Sequence, residues 1–372
     1  FLKEKISAIT LTSIILAISG VLLMVGNSLT PGELSGNLAA FTMPVTFAIL
    51  IIIVRKYPTV DMVPAQFVAG VCSCLIGFLL STKIISSYLN IVGISTTWID
   101  VRDFIKTDTT YRNASVNWKQ TCDNIKRLDT QNLYITQGFL GSNSKNKTTT
   151  LGREGSDYSA AIFAFCLNAE SVTIWKDVDG VLNADPRYFD NAQLLHKISY
   201  REAIELAFYG ASVIHPKTLQ PLQRKEIPLF VKSFIKPEEP GTKVGKGIPL
   251  DPDIPCFIVK KNQVLISLSS LDFSYIVEEN LSEIFSLLHL YKMKVDVIQN
   301  SAISFSVCID NIYNNLDKLL HHLKAKFNVT CHENVCLYTI RNYSEISIKQ
   351  LEVDKTILLK QLTQGTVQMV TL

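Results

Sequence analysis

Long stretches of this 372-residue sequence have no charge at all. No Asp, Glu, Lys or Arg occurs from Ile6 to Gly32, from Leu34 to Val54 or from Met62 to Thr82. Each run is close to the ~20 residues that cross a bilayer core, and a cleaved signal peptide would be a single such run. Three runs therefore predict membrane spans, in which Gly20, Gly26, Ala39, Ala40, Gly70 and Gly77 would let helices approach closely. An excess of charge of one sign is also missing. Lys and Arg number 36 against 33 Asp and Glu, a net charge of +3, which leaves no electrostatic footprint for nucleic acid. Paired metal-ligand spacings are absent among the eight cysteines. Cys331 and Cys336 flank His332 in CHENVC, but no second ligand pair follows. The two read as strand cysteines, most of the others as reduced packing residues, and no metal site is expected. No linker of Gly, Pro or Ser marks the change of composition near residues 80–83. The chain opens on Phe1, which reads as a frame that continues upstream.

Beyond Ser81 the chain is charged and patterned like a water-soluble protein. STKIISSYLNIVGI reads as an amphipathic helix followed by a strand. A short strand from Leu133 to Thr136 then leads through Gln137-Gly138 and a polar loop into TTTLGREGSDYSAA, and the spacing predicts a helix from about Tyr158 to Leu167. Ser156 or Asp157 would cap it, accepting a free first-turn N–H. Gly152 and Gly155 would allow close backbone approach at the positive end of the helix, which makes an anion site. Arg153 could grip a carboxylate through two parallel hydrogen bonds. The glycine pattern is neither the Walker nor the dinucleotide fingerprint and would not by itself separate this site from an ordinary capped helix.

Its neighbours do. TTTLGREGSDYSAA resembles the T-T-L-G-R-G-G-S-D-Y-[ST]-A-A signature of aspartate kinases in the amino acid kinase family, with Glu154 in place of a glycine. SVTIWKDVDGVLNADPR resembles the nucleotide segment W-T-D-V-x-G…D-P-R, with Lys176 in place of threonine. ISYREAIELAFYGASVIHPKTLQPLQRKEIPLFVKS is similar to the family's E-A-x-E-L-A-x-x-G-A-x-V-[IL]-H-P run, and PEEPGT closes the segment. TTWIDVRDFIKTD is similar to an earlier strand and D-x-R-x-x-[IL] segment. The resemblance implies ATP-dependent phosphorylation of the β-carboxylate of L-aspartate, with Mg²⁺ on the phosphates, in lysine, threonine and methionine biosynthesis. It implies that Thr150, Gly152 and Arg153 bind aspartate and that Asp157 orients both the substrate amine and the catalytic lysine. Lys176, Asp177 and Arg187 would meet the nucleotide. Ser212 stands where relatives place an ATP-contacting lysine, a role that Lys217 would take over, and His215 reads as structural. The K-[FY]-G-G-[TS]-S opening of the family, with its phosphoryl-neutralising lysine, is not found, so the transfer is expected to be impaired.

The last third alternates strand and helix. VLISLSS, KVDVIQNS and AISFSVCID read as strands, and residues 276–293 as a helix with Leu281, Ile284, Phe285 and Leu288 on one face. A helix from Leu316 to Phe327 comes next, then a shorter round of VCLYTIRN, a helix near Ile357, and GTVQMVTL. This βαββαβ pattern resembles the paired ferredoxin-like ACT domains of aspartate kinases. The resemblance implies a homodimer through these domains and lysine or threonine as feedback effector, held by Asp296, Asn300 and Ser301.

The first third resembles an EamA-like drug/metabolite transporter, on the hydrophobic pattern and on Gly20-Val21-Leu22-Leu23, but spans fewer helices than the two facing repeats a substrate pathway needs. The expected fold class is α/β. Residues 1–81 form incomplete transmembrane helices, 82–245 a partial amino-acid-kinase domain, and 250–372 a tandem ACT repeat, with membrane attachment through residues 6–80. The family implies a cytoplasmic kinase, whereas the positive-inside rule puts residues after Ser81 outside. The alternatives to an aspartate kinase are a membrane-anchored amino-acid sensor without catalysis, or a chimeric gene.

Overall fold

A computed structural model describes residues 81–211, 214–272 and 274–372. The charge-free runs expected to cross a membrane lie almost wholly outside them, and among the described residues no helix is long and apolar enough to do so. Helix α1 (81–91) ends in a turn clamped by Asn90, whose side chain donates to Ser86 O and Thr96 O and accepts from Thr96 N at 2.8 Å. That clamp postpones the strand expected directly after the helix, and β1 (Thr97–Ile99) starts beyond it. Next come α2 (Val101–Phe104), β2 (Lys106–Thr107), α3 (Trp118–Ile125), β3 (Tyr134–Thr136), β4 (Leu140–Asn143), β5 (Thr148–Thr150) and α4 (Gly155–Leu167). Strands β1 and β3 pair in parallel, while β2, β4 and β5 form a second small sheet.

A four-stranded mixed sheet comes after these, in the order β6-β8-β9-β7. It contains β6 (Val172–Lys176), β7 (Lys197–Ser199), β8 (Leu229–Ser233) and β9 (Thr242–Gly245), with β6 parallel to β8. Val172 and Ile174 point inward and Thr173 and Trp175 outward, the period of two that a half-buried strand needs. Between β7 and β8 lie α5 (Tyr200–Tyr209) and α6 (Pro216–Lys225). The Ser199 hydroxyl caps α5 by accepting from Glu202 N, and Pro216 starts α6, where a missing N–H costs nothing. Ala161 and Ala164 of α4, Leu206 of α5 and Leu219 and Leu222 of α6 pack on Ile174, Ile198, Leu229, Val231 and Val244 as one core.

The remainder is a six-stranded antiparallel sheet of order β11-β12-β10-β13-β15-β14. Its chain order is β10 (Cys256–Ser270), α7 (Glu278–Leu290), β11 (Lys294–Asn300), β12 (Ser304–Asp310), α8 (Leu316–Lys324), β13 (Phe327–Arg341), α9 (Glu345–Glu352), β14 (Ile357–Thr363) and β15 (Thr366–Thr371). The first round is the expected βαββαβ unit. Leu316, Leu319 and Leu323 of α8 and Ile284 and Leu288 of α7 are buried on Val264, Ile266 and Leu268. Phe285, expected on that face, is 40% exposed and touches Phe305 only by its ring edge. The second round borrows both long strands: the start of β10 pairs with the end of β13, and β15 and β14 extend the sheet.

The second round also corrects the sequence reading. Residues near Ile357 form a strand, and the helix lies earlier, where Ser344 and Ser347 cap each other's backbone N–H groups at 3.1 and 2.9 Å. Cys331 and Cys336 are strand residues of β13, as expected. Cys122 and Cys166 are not reduced packing residues: they form a disulfide joining α3 to α4, whereas Cys256 and Cys308 are buried free thiols.

Candidate active site

The loop after β5 is fastened at both ends. Thr150 donates its hydroxyl to Arg112 O at 3.0 Å, and its carbonyl accepts from Ala114 N at 2.9 Å. Gly152 has φ +83°, and a Cβ there would strike the Asn113 side-chain oxygen, so the position needs glycine. Lys217, at the start of α6, donates its ammonium to that same Asn113 oxygen. Asn113 thus joins the loop to α6, a contact that only the fold reveals.

Helix α4 begins at Gly155, a turn earlier than the spacing suggests, and neither Ser156 nor Asp157 caps it. Glu154 takes the N-cap position with φ +52° and no side-chain cap bond. The reason lies beneath the helix. A Cβ on Gly155 would come within 2.6 Å of the Phe139 ring, and one on Gly138 within 2.9 Å of Ser156 Cα, so β-strand end and helix start are in direct contact. Gly152 and Gly155 therefore serve close approach of the chain to itself. Arg153 is exposed at the tip, without an ion pair among the described residues.

Asp157, in the first turn of α4, faces Lys176 at the end of β6. Nζ lies 3.1 Å from Oδ2, with the two side chains 21% and 19% exposed. The pair joins the loop to the carboxyl ends of β6 and β8, where ligands bind in open α/β sheets. A cavity of ≈ 340 Å³ opens there, lined by Asp177, Val178, Asp179, Leu182, Ser233, Ile235 and Lys236. Lys236 pairs with Asp179 at 2.9 Å. Thr150, Gly152, Arg153, Asp157, Lys176 and Lys217 thus gather around the start of α4, and Asp177 lines the cavity. Arg187 turns instead to Asp185 (Nε–Oδ1 3.0 Å, Nη2–Oδ2 2.6 Å), and its guanidinium holds the Asp185 carboxyl below its ordinary value. Ser212 lies outside the described residues.

The residues expected to hold an effector do not form one open site. Asn300 and Ser301 are exposed at the β11–β12 turn, but the Asp296 side chain is only 4% exposed and takes the Lys260 ammonium at 2.7 Å. Asp296 is paired within the chain because β11 bulges between Val295 and Val297 and turns its carboxylate toward β10.

His215 caps α6: its Nδ1 accepts from Lys217 N at 3.2 Å, which is the structural role expected of it. Burial pushes its pKa below the ordinary 6.5; Glu154 opposes this, and Lys217 and Arg153 reinforce it. The unfolded chain therefore takes up this proton first. The stabilising contribution is complete above 6.5 and is lost as the pH falls through the lower folded value. His215→Asn keeps a capping oxygen and does not titrate. As the pH falls from about 7.5 to about 5.5, the Tm of the wild type should drop relative to that of the variant. Parallel Tm curves would disprove the assignment.

The amino acid kinase family matches this chain over residues 38–233, more than half of its 372 residues. The chain belongs to the amino acid kinase family. The match begins upstream of residue 82, where the sequence reading starts the kinase portion. Among curated relatives, the lysine-sensitive aspartokinase 3 of Escherichia coli K12 is 36% identical over 239 residues, 63% of this chain and 53% of that protein. The chain thus spans about half the length of this relative. Two crystal structures of E. coli aspartokinase III are similar to this chain. The complex with lysine and aspartate has a TM-score of 0.65 at 29% identity, covering 95% of this chain and 86% of that one. The complex with aspartate and ADP has a TM-score of 0.65 at 27% identity, covering 95% and 87%.

Proposed function

We propose that this member of the amino acid kinase family is an aspartate kinase, which moves the γ-phosphoryl group of ATP to the β-carboxylate of L-aspartate. The observation that carries the reading is the Asp157–Lys176 pair, which sets the Arg153 loop beside the cavity at the ends of β6 and β8. The likeness to relatives that bind aspartate and ADP supports the same substrates. At ≈ 340 Å³ the cavity falls within the ~300–1,000 Å³ of small-molecule sites, and its Asp177, Asp179, Ser233 and Lys236 are polar partners suited to a nucleotide. Mg²⁺ would come with the nucleotide, held by phosphate oxygens, water and one or two carboxylates, and would neutralise charge on the phosphates.

In this reading Arg153 fixes the α-carboxylate and Asp157 the amine. A β-carboxylate oxygen attacks the γ-phosphorus, the bond to the β–γ bridging oxygen breaks, and its electron pair leaves on ADP. No proton needs to move, so catalysis rests on positioning and charge neutralisation. Lysine or threonine as effector and a dimer through the six-stranded sheet belong to the same proposal. A coupled ADP-release assay, with hydroxylamine trapping of the acyl phosphate, tests it. Aspartate-dependent turnover is expected, below the roughly 1–100 s⁻¹ common for kinases. ADP release that glutamate supports as well as aspartate, or none with either, would overturn it.

The finer part of the reading, an EamA-like membrane attachment through residues 6–80, rests on the three charge-free runs. The family match from residue 38 weighs against it over that stretch. Release of the full chain from membranes by alkaline carbonate would discard it.

A further inference from the structure

The wall of the cavity is tied to the six-stranded sheet. Leu182 lines it, and the next residue, Asn183, is 7% exposed with its backbone and side chain all engaged. Its N–H donates to Gln193 O at 2.9 Å and its carbonyl accepts from Phe257 N at 2.7 Å. Its side-chain oxygen accepts from Gln193 N at 2.7 Å, and its side-chain amide donates to Pro255 O at 2.9 Å. Ala184 bridges Phe257 in the parallel sense, and the Phe189 and Phe257 rings lie 5.3 Å apart. One residue therefore stitches the cavity wall, the 193–195 segment and the first residues of β10 together.

Strand β10 is the spine of the six-stranded sheet. It pairs with β12 on one side and β13 on the other, and its Lys260 holds Asp296 on β11. A shift of β10 would be felt at Phe257 and Pro255, and through Asn183 at Leu182.

We propose that Asn183 is a positioning residue through which the six-stranded sheet sets the wall of the nucleotide cavity. The proposal rests on the reading of that cavity as the nucleotide site. Asparagine suits the place because it presents a donor and an acceptor on one short side chain. Aspartate keeps only the acceptor, and alanine keeps neither, so Pro255 O and Gln193 N lose their partner.

The test uses the full chain with Asn183→Ala and Asn183→Asp. ADP affinity is measured by calorimetry, KM for ATP and for aspartate by the coupled assay, and backbone motion by hydrogen exchange. The Asn183→Ala variant should bind ADP on the order of tenfold more weakly. Its KM for ATP should rise while that for aspartate stays within about twofold, and exchange should quicken over 177–187 but not over β8. Asn183→Asp should lose at least as much, because a buried carboxylate oxygen then faces Pro255 O, which needs a donor. Unchanged ADP affinity in a folded Asn183→Ala variant overturns the proposal, and so does an equal loss for both substrates, which a merely structural role would give. Should the alanine variant not fold, the aspartate variant carries the same readouts. A wild type that binds no ADP would sink the nucleotide reading alone. Faster exchange confined to 177–187 would then still support the positioning role, and uniform exchange would overturn it.

Discussion

Replacing Arg153 with alanine should lower kcat/KM for aspartate about 100-fold while leaving the KM for ATP close to that of the wild type. Each charge-assisted hydrogen bond contributes about 1.5–3 kcal/mol. A two-bond clamp is therefore worth about 3 kcal/mol or more, and 1.4 kcal/mol is a factor of ten. The geometry concentrates the effect on aspartate. Arg153 is exposed and without an ion pair among the described residues, so its guanidinium is available to a ligand. The loop around it is fixed by Thr150 on Arg112 O and by Asn113 against Gly152, so the arginine starts from an ordered backbone. Because a clamp positions as well as binds, kcat should fall along with the rise in KM. Arg153→Lys keeps the charge but loses the fork and should fall between. Thermal stability should be unaffected in both variants, since the side chain is exposed. Wild-type aspartate kinetics for Arg153→Ala, in the same ADP-release assay, would remove this loop from the aspartate site.

Much of the architecture was legible because it is written in periodicity. The strand KVDVIQN and the helix α7, with Ile284 and Leu288 on its buried face, differ from the periodicity reading only in their end residues. The second round was harder. ILLKQLT has apolar residues close enough to pass for a helix, and only pairing with β15 makes it a strand. The helix signal was local but unusual, a serine at each end of a reciprocal cap at Ser344 and Ser347. At the site, the loop residues were legible as a motif, but their partners were not. Asn113 lies 104 positions from Lys217, and nothing nearby in sequence announces the contact. The start of α4 was misplaced because capping side chains were expected to decide it, while contact with Gly138 and Phe139 decides it instead. Likewise nothing in the sequence around Asp296 announces its ion pair with Lys260, 36 positions away.

The junction between the kinase portion and the six-stranded sheet should respond most strongly to loss of one charge. Glu202, in the first turn of α5, accepts two hydrogen bonds from Arg341 of β13: Nε at 2.9 Å and Nη2 at 2.6 Å. Both side chains are 12% exposed, and Arg341 also donates to the Thr366 hydroxyl. The hydrogen bonds from Arg341 to Glu202 hold the guanidinium above its already high ordinary value, so it stays charged whether or not its partner is present. Glu202→Ala leaves that charge buried and unpaired, which costs about 3–5 kcal/mol. For a domain of this size 1 kcal/mol moves Tm by about 2–4 °C, so a fall on the order of 10 °C is expected. Glu202→Gln keeps a neutral acceptor and should lose less. The pair itself has a much smaller net worth, because both ions give up water to meet. Replacing both partners, as Glu202→Ala with Arg341→Met, should therefore recover most of the loss, the methionine filling the space of the arginine stem. Thermal melts of the wild type, both single variants and the double variant complete the cycle. A double variant as unstable as Glu202→Ala would show that the loss comes from packing at α5, and a single variant within about 1 kcal/mol of the wild type would place the pair among ordinary surface ion pairs.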